Sequence, residues 1–314
     1  MLISKYMYEG QLIAKRENKE YISTKKGLER AMQEGKILEG VVKMCDNSTL
    51  SMHLELGEID GIIKKEESVY GVPVKDIGII TRVGKAVSFK VVGFERGEDG
   101  KIRAVLSRRL AQKECMENYL LSLRPGDIIP AKITHLEPFG AFVDVGCGIS
   151  SLLSVDSVSV SRIASPADRF FPRQEICVVV KSIDYESGRM YVSTKELFGT
   201  WEENAKDFSV GQTVSGIIRS VESYGVFVEL APNLAGLAEI YEGAEAGERC
   251  SVYIKSIMPD KMKIKLVIID TCEAELPSKS TLDYFVDTKN ISHIDYWKYS
   301  PSSCPRVIET VFEN

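Results

Sequence analysis

An internal repeat constrains the fold of this chain more than any other feature. Residues 126–143, GDIIPAKITHLEPFGAFV, align without a gap on residues 211–228, GQTVSGIIRSVESYGVFV, at an offset of 85. The register holds as far as Leu152 and Leu237. Farther on, Lys181-Ser182-Ile183 matches Lys255-Ser256-Ile257 at an offset of 74, so the later copy is eleven residues shorter between these anchors. A fainter copy begins with GKILEGVV at Gly35, 91 residues before the middle one. Carried forward, its register places Ser48, Thr49 and Ser51 where the middle copy has Phe139, Gly140 and Phe142: the framework without the aromatics. Sequence repeated at this period implies repeated small structural units.

Each copy spans roughly 65–80 residues, enough for one small domain. In the middle copy apolar residues alternate in short runs: Ile128, Ile129 and Ile133; Ala141, Val143 and Val145; Cys177, Val179 and Ile183; Met190 and Val192. A period of two with many β-branched residues predicts strands, and Glu186-Ser187-Gly188 reads as a turn between two of them. Five short strands with one longer connection fit a closed Greek-key barrel of the OB type. The expected fold is therefore mostly β: three tandem five-stranded OB-type barrels joined by short helices. The expected layout is an N-terminal extension over 1–33, barrels over 34–112, 124–198 and 207–271, and a C-terminal tail over 272–314. Helices are expected over 24–34 with a Thr24 cap, over 108–123 and over 195–207.

Composition closes off several function classes. No apolar run approaches the length of about 18 residues that a membrane span needs, and the first residues lack a secretory pattern. The seven cysteines are odd in number and widely spaced, with no C-x-x-C; reduced thiols in a cytoplasmic protein are expected. None of the three histidines, His53, His135 and His293, has a ligand-type neighbour, so neither a metal nor another cofactor is expected. GCGISS lacks the later glycine and the Lys-Ser/Thr of a phosphate loop, and no Ser-His-Asp or Cys-His order stands out. Neither an enzyme nor a small-molecule substrate is expected. The net charge is −5, but residues 1–33 carry seven basic and four acidic residues, whereas residues 270–314 carry four and eight. A local basic groove is compatible with this distribution.

The repeat carries its own candidate site. In Phe139-Gly140-Ala141-Phe142 the glycine permits a bulge that turns both rings to one face, where unpaired bases stack at about 1–3 kcal/mol each. Tyr224-Gly225-Val226-Phe227 repeats the device. The competing reading makes these rings core residues. Asp184 and Arg189 flank the expected hairpin turn. Arg189 is read either as a phosphate or base contact oriented by Asp184, or as half of a surface ion pair.

With these residues in hand, 124–195 resembles the S-one RNA-binding domain, the repeat of the largest bacterial small-subunit ribosomal protein. FGAFVDVG and KSIDYESGRMYVSTK carry the likeness. The resemblance implies base-stacking rings at Phe139 and Phe142, polar partners at Asp184 and Arg189, with Lys181 beside them, and Ser154 where the family has a histidine. In the third copy it implies rings at Tyr224 and Phe227, with Lys255 retained, Lys263 in place of the arginine, Met258 in place of the aspartate and Glu239 in place of the histidine. The three-barrel layout is similar to the short ribosomal S-one-like proteins of clostridial bacteria.

The resemblance implies a non-catalytic protein that binds single-stranded RNA, with mRNA as the expected ligand. It would act in translation at the small ribosomal subunit or as an RNA chaperone. Ring-free barrels of this type can anchor to a ribosomal protein. The alternative is a scaffold of OB barrels that binds protein and little RNA; the missing histidine and Glu239 favour it. Two segments fall outside the motif. In SVSVSRIASPADRFFPR, Phe170 and Phe171 are expected to plug the barrel end, with Arg162, Arg169 and Arg173 open to either a solvated or an RNA-contacting role. The tail, rich in Tyr296, Trp297 and Tyr299, is expected to pack on the third barrel and cover part of its aromatic face.

Overall fold

The computed structural model describes residues 5–71, 75–97, 100–272 and 282–312. Three closed five-stranded barrels follow one another along the chain. The first comprises β1 (Leu38–Asp46), β2 (Ser51–Glu55), β3 (Asp60–Ile63), β4 (Ala86–Arg96) and β5 (Ile102–Ser107). The second comprises β6 (Ile128–Glu137), β7 (Gly140–Asp144), β8 (Ser150–Ser154), β9 (Glu175–Asp184) and β10 (Arg189–Ser193). The third comprises β11 (Thr213–Glu222), β12 (Gly225–Ala231), β13 (Leu234–Ala238), β14 (Arg249–Met258) and β15 (Lys263–Cys272). In each, the third and fifth strands pair in parallel and close the ring. The shared topology is what the repeat requires, and it is the Greek-key OB arrangement.

Alternation fills each barrel. In the second, Ala131, Ile133, Ala141, Val143, Val178 and Val180 are buried in one cluster, while the residues between them face outward. The strand parity then changes at places common to all copies, one on the fourth strand, at Val92, Lys181 and Lys255, and one on the first. The first strand of each barrel carries a register irregularity: between Val42 and Met44, between Ile133 and His135, and between Ile218 and Ser220. The extra residue reverses which side the following positions face.

Helix α1 (Arg16–Ile22) was not expected from the sequence; α2 (Lys25–Glu34) follows it, with the Thr24 side chain accepting from the Gly27 N–H. A short α3 (Asp76–Ile80) lies in the first barrel's long connection. Helix α4 (Arg108–Asn118) is capped by Ser107, and its Ala111 and Cys115 pack into the second barrel's core. Helix α5 (Trp201–Ala205) carries a reciprocal Thr200/Glu203 cap.

Buried polar groups join the barrels. Between the first and second, the Glu9 carboxylate accepts from Arg108 at 2.7 Å, Arg82 at 3.1 Å and the Ser88 N–H at 3.1 Å. Arg108 also donates to the carbonyls of Ser68 and Gly148. This junction also reaches the second barrel through the Glu9 N–H, which donates to Asp144 at 2.8 Å. Burial and the Glu9 charge push the Asp144 carboxyl up to about 7, against the backbone N–H groups and Arg108 that favour its ionised form. The neighbouring arginines outweigh burial for Glu9 and hold its carboxyl below the usual range.

Between the second and third barrels, the buried Asn233 accepts from the Val160 N–H and donates to the carbonyls of Lys195 and Gly199. Glu229 receives two hydrogen bonds from Arg169, at 2.7 and 2.9 Å, and two from Arg219, at 2.9 and 3.2 Å. Arg169 is therefore a structural tether to the third barrel, which removes it from the open surface cations. Phe170 is buried, as the sequence suggested. Phe171 is not: it is 36% exposed, because the turn at Arg173 and the bond from the Phe171 N–H to Gln174 direct the chain away from the barrel end.

In the tail, β16 (Tyr296–Lys298) pairs with β17 (Glu309–Val311). Trp297 and Tyr299 are buried in the third barrel's cluster, while Phe312 joins Ile128, Val179 and Leu197 of the second. The tail thus lies against both barrels. It does not cover the third barrel's aromatic face, where Tyr224 is 65% exposed.

Candidate nucleic-acid interface

Phe139 lies in the two-residue turn between β6 and β7, outside the alternation that governs the strands. It is 57% exposed, and Phe142 on β7 is half-buried beside it. Their ring centroids are 6.0 Å apart at 88°. Tyr224 and Phe227 stand at 6.2 Å and 90°. The two ring pairs have the same edge-to-face geometry, and neither is core.

The role of the intervening glycine differs from the sequence expectation. The register irregularity is on β6, not at Gly140. Gly140 is needed for close approach: a Cβ there would lie 2.7 Å from the Leu153 carbonyl oxygen. At Gly225 the corresponding distance to the Ala238 oxygen is 2.4 Å, and φ is +153°. Gly140→Ala is therefore expected to destabilise the protein by about 1–3 kcal/mol through overpacking against β8. A urea midpoint equal to that of the wild type would show that β8 moves aside freely.

The irregularity on β6 exposes a residue that alternation would hide. Ile133 faces the core, so His135, two residues on, should do the same. The extra residue, Thr134, turns it outward instead. The Thr134 hydroxyl donates to the Phe142 carbonyl at 3.0 Å. The His135 ring then stacks on Phe142, with centroids 4.3 Å apart and planes at 9°. His135 is exposed and extends the platform with a ring on which a base can lie. Cross-strand register continues the row. His135 is opposite Phe142, Phe142 opposite Leu152, Leu152 opposite Tyr191 and Tyr191 opposite Ser182. Tyr191 is 41% exposed. Its position between the buried Met190 and Val192 made its outward face readable from the sequence. That of His135 was not.

The same row in the third barrel reads Ser220, Phe227, Leu237, Lys265 and Ser256. A serine replaces His135, and a lysine replaces Tyr191. In the first barrel the row reads Met44, His53, Ile62, Val105 and Gly93. His53, not Ser51, therefore occupies the Phe142 place. The β1–β2 turn is two residues longer than the β6–β7 turn, since Asp46 pairs with Ser51 whereas Glu137 pairs with Gly140. Ser48 and Thr49 fall within that turn.

Around the middle barrel's rings, Ser154 donates to the Ser157 hydroxyl at 2.9 Å, and Lys181 reaches the same hydroxyl at 3.3 Å. Asp184 is opposite Arg189, as a hairpin requires. Its carboxylate, however, is occupied within the turn. It accepts from the Ser187 hydroxyl and from the N–H groups of Glu186 and Ser187, and the Ser187 hydroxyl bond leads the effects that lower its pKa. Arg189 forms no ion pair among the described residues and is exposed. In the third barrel Lys263 is exposed, and Lys255 pairs with Glu239 at 3.1 Å. That pair offsets the carboxylate where the middle barrel has Ser154.

Residues 122–195 match the family model of the S1 RNA binding domain. The small ribosomal subunit protein bS1 homolog of Bacillus subtilis (strain 168) is 29% identical over 220 residues, 69% of this chain and 56% of that protein. Small ribosomal subunit protein bS1 of Staphylococcus aureus (strain COL) is 30% identical over 216 residues, 64% of this chain and 53% of that protein. The chain thus spans about half the length of the curated relatives it matches. Among solved structures, a multidomain protein with nucleic acid binding domains from Streptococcus pneumoniae aligns over 75% of this chain and 73% of its own. The identity is 13% and the TM-score 0.24, too low to bear on how the barrels are arranged.

Proposed function

Given that this chain belongs to the ribosomal S1 protein family, we propose that it is a non-catalytic protein that holds single-stranded RNA, with mRNA as its ligand, on the outer face of its middle barrel. It works in translation at the small ribosomal subunit, in the cytoplasm. The observation that carries this reading is the solvent-facing ring cluster of Phe139, Phe142 and His135. Exposed apolar rings are unfavourable in water unless something covers them, and stacked bases cover them without demanding a sequence. The third barrel, with Tyr224, Phe227 and Lys265, supplies a second and weaker platform. No helix among the described residues is long and apolar enough to cross a membrane.

Adding the full chain to a fluorescently labelled oligouridylate of about twelve nucleotides, within the range of OB-fold site sizes, tests the proposal. Saturable binding in the micromolar range or tighter is expected, with an unlabelled RNA duplex of equal length competing poorly. Absence of binding, or equal competition by the duplex, would favour the protein-scaffold reading.

A further inference from the structure

An open cavity of about 600 Å³ lies where the second barrel's long connection, the segment before α5 and the C-terminal tail meet. Three cations line it, each from a different one of these segments: Arg162, Lys195 and Arg306. None of the three forms an ion pair among the described residues. This differs from Arg169 in the same connection, which is bound to Glu229. Among the described residues the only carboxylate lining the cavity is the exposed Asp156. Three converging positive charges without partners repel one another, and an anion relieves that repulsion.

The cavity adjoins the ring platform through the chain itself. Ser154 sits in the row next to Gly140, and Val155 and Asp156, the next two residues, line the cavity. The Val155 N–H donates to the Phe139 carbonyl at 3.0 Å, so the cavity's edge is anchored to the backbone of the exposed ring. We propose that this cavity is a phosphodiester-binding site: it takes the sugar-phosphate backbone of the RNA strand whose bases lie on Phe139 and Phe142. The inference rests on the single-stranded RNA reading above and gives that strand a direction, from the rings toward the tail. It also gives the tail a role, since Arg306 completes the cation set.

The test uses the full chain with Arg162→Gln, Lys195→Gln and Arg306→Gln combined. All three side chains are at least partly exposed, so the urea midpoint should match that of the wild type. Two probes are used, the labelled oligouridylate of about twelve nucleotides and a labelled trinucleotide too short to leave the rings. Each phosphate contact contributes about 0.7 to the slope of log affinity against log salt for a single strand. The triple variant should therefore lose about two from that slope with the long probe, and bind it at least tenfold more weakly at low salt. Trinucleotide binding should not change. Wild-type affinity and slope for the long probe would overturn the assignment. So would an equal loss for both probes, which would place the cations at the rings. Failure of the ring reading is a separate result, seen only with Phe139→Ala and Phe142→Ala.

Discussion

Replacing Phe139 and Phe142 together with alanine is expected to weaken binding of single-stranded RNA by about 2–6 kcal/mol, from two base stacks at about 1–3 kcal/mol each. The dissociation constant would rise at least tenfold. The fold should survive, because Phe139 is largely exposed and Phe142 is half-buried against His135 rather than in the core. The check is an oligouridylate titration beside a urea curve for the same variant. An unchanged dissociation constant in a protein that unfolds like the wild type would remove the ring platform from the binding surface. A smaller loss is expected for Tyr224→Ala with Phe227→Ala. That barrel has the same ring geometry but lacks a counterpart to the His135 ring.

The second large effect concerns stability. Glu9→Ala should destabilise the junction of the first and second barrels by about 3–5 kcal/mol. It leaves the buried Arg108 without its carboxylate, and breaking one side of a buried ion pair carries that cost. A lowered urea midpoint is the expected readout, with separation into two transitions as the barrels uncouple. The double replacement Glu9→Met with Arg108→Met should recover part of the loss, since an apolar side chain of similar volume removes the buried Arg108 charge, while Arg82 still lacks its carboxylate partner. A wild-type midpoint for Glu9→Ala would mean that Arg108 is satisfied by its carbonyl partners alone.

Glu9 could not have been singled out from the chain. It lies in an N-terminal segment without strong periodicity, and the partners of its carboxylate are 73 to 99 residues away. The same holds for Arg169 and Glu229, 60 residues apart. A charge in a linear sequence shows no sign of whether it will be solvated or paired.

The repeat and its alternation, by themselves, determined the number of barrels, their strand order class and the two ring pairs, because offset and parity are linear properties. Tertiary structure alone decided three things. The strand irregularity at Thr134 turned His135 outward, since one inserted residue reverses parity without leaving a compositional mark. A turn two residues longer put His53 in the ring row of the first barrel. The meeting of three distant segments gathered Arg162, Lys195 and Arg306, because only folding brings together charges that the chain keeps apart.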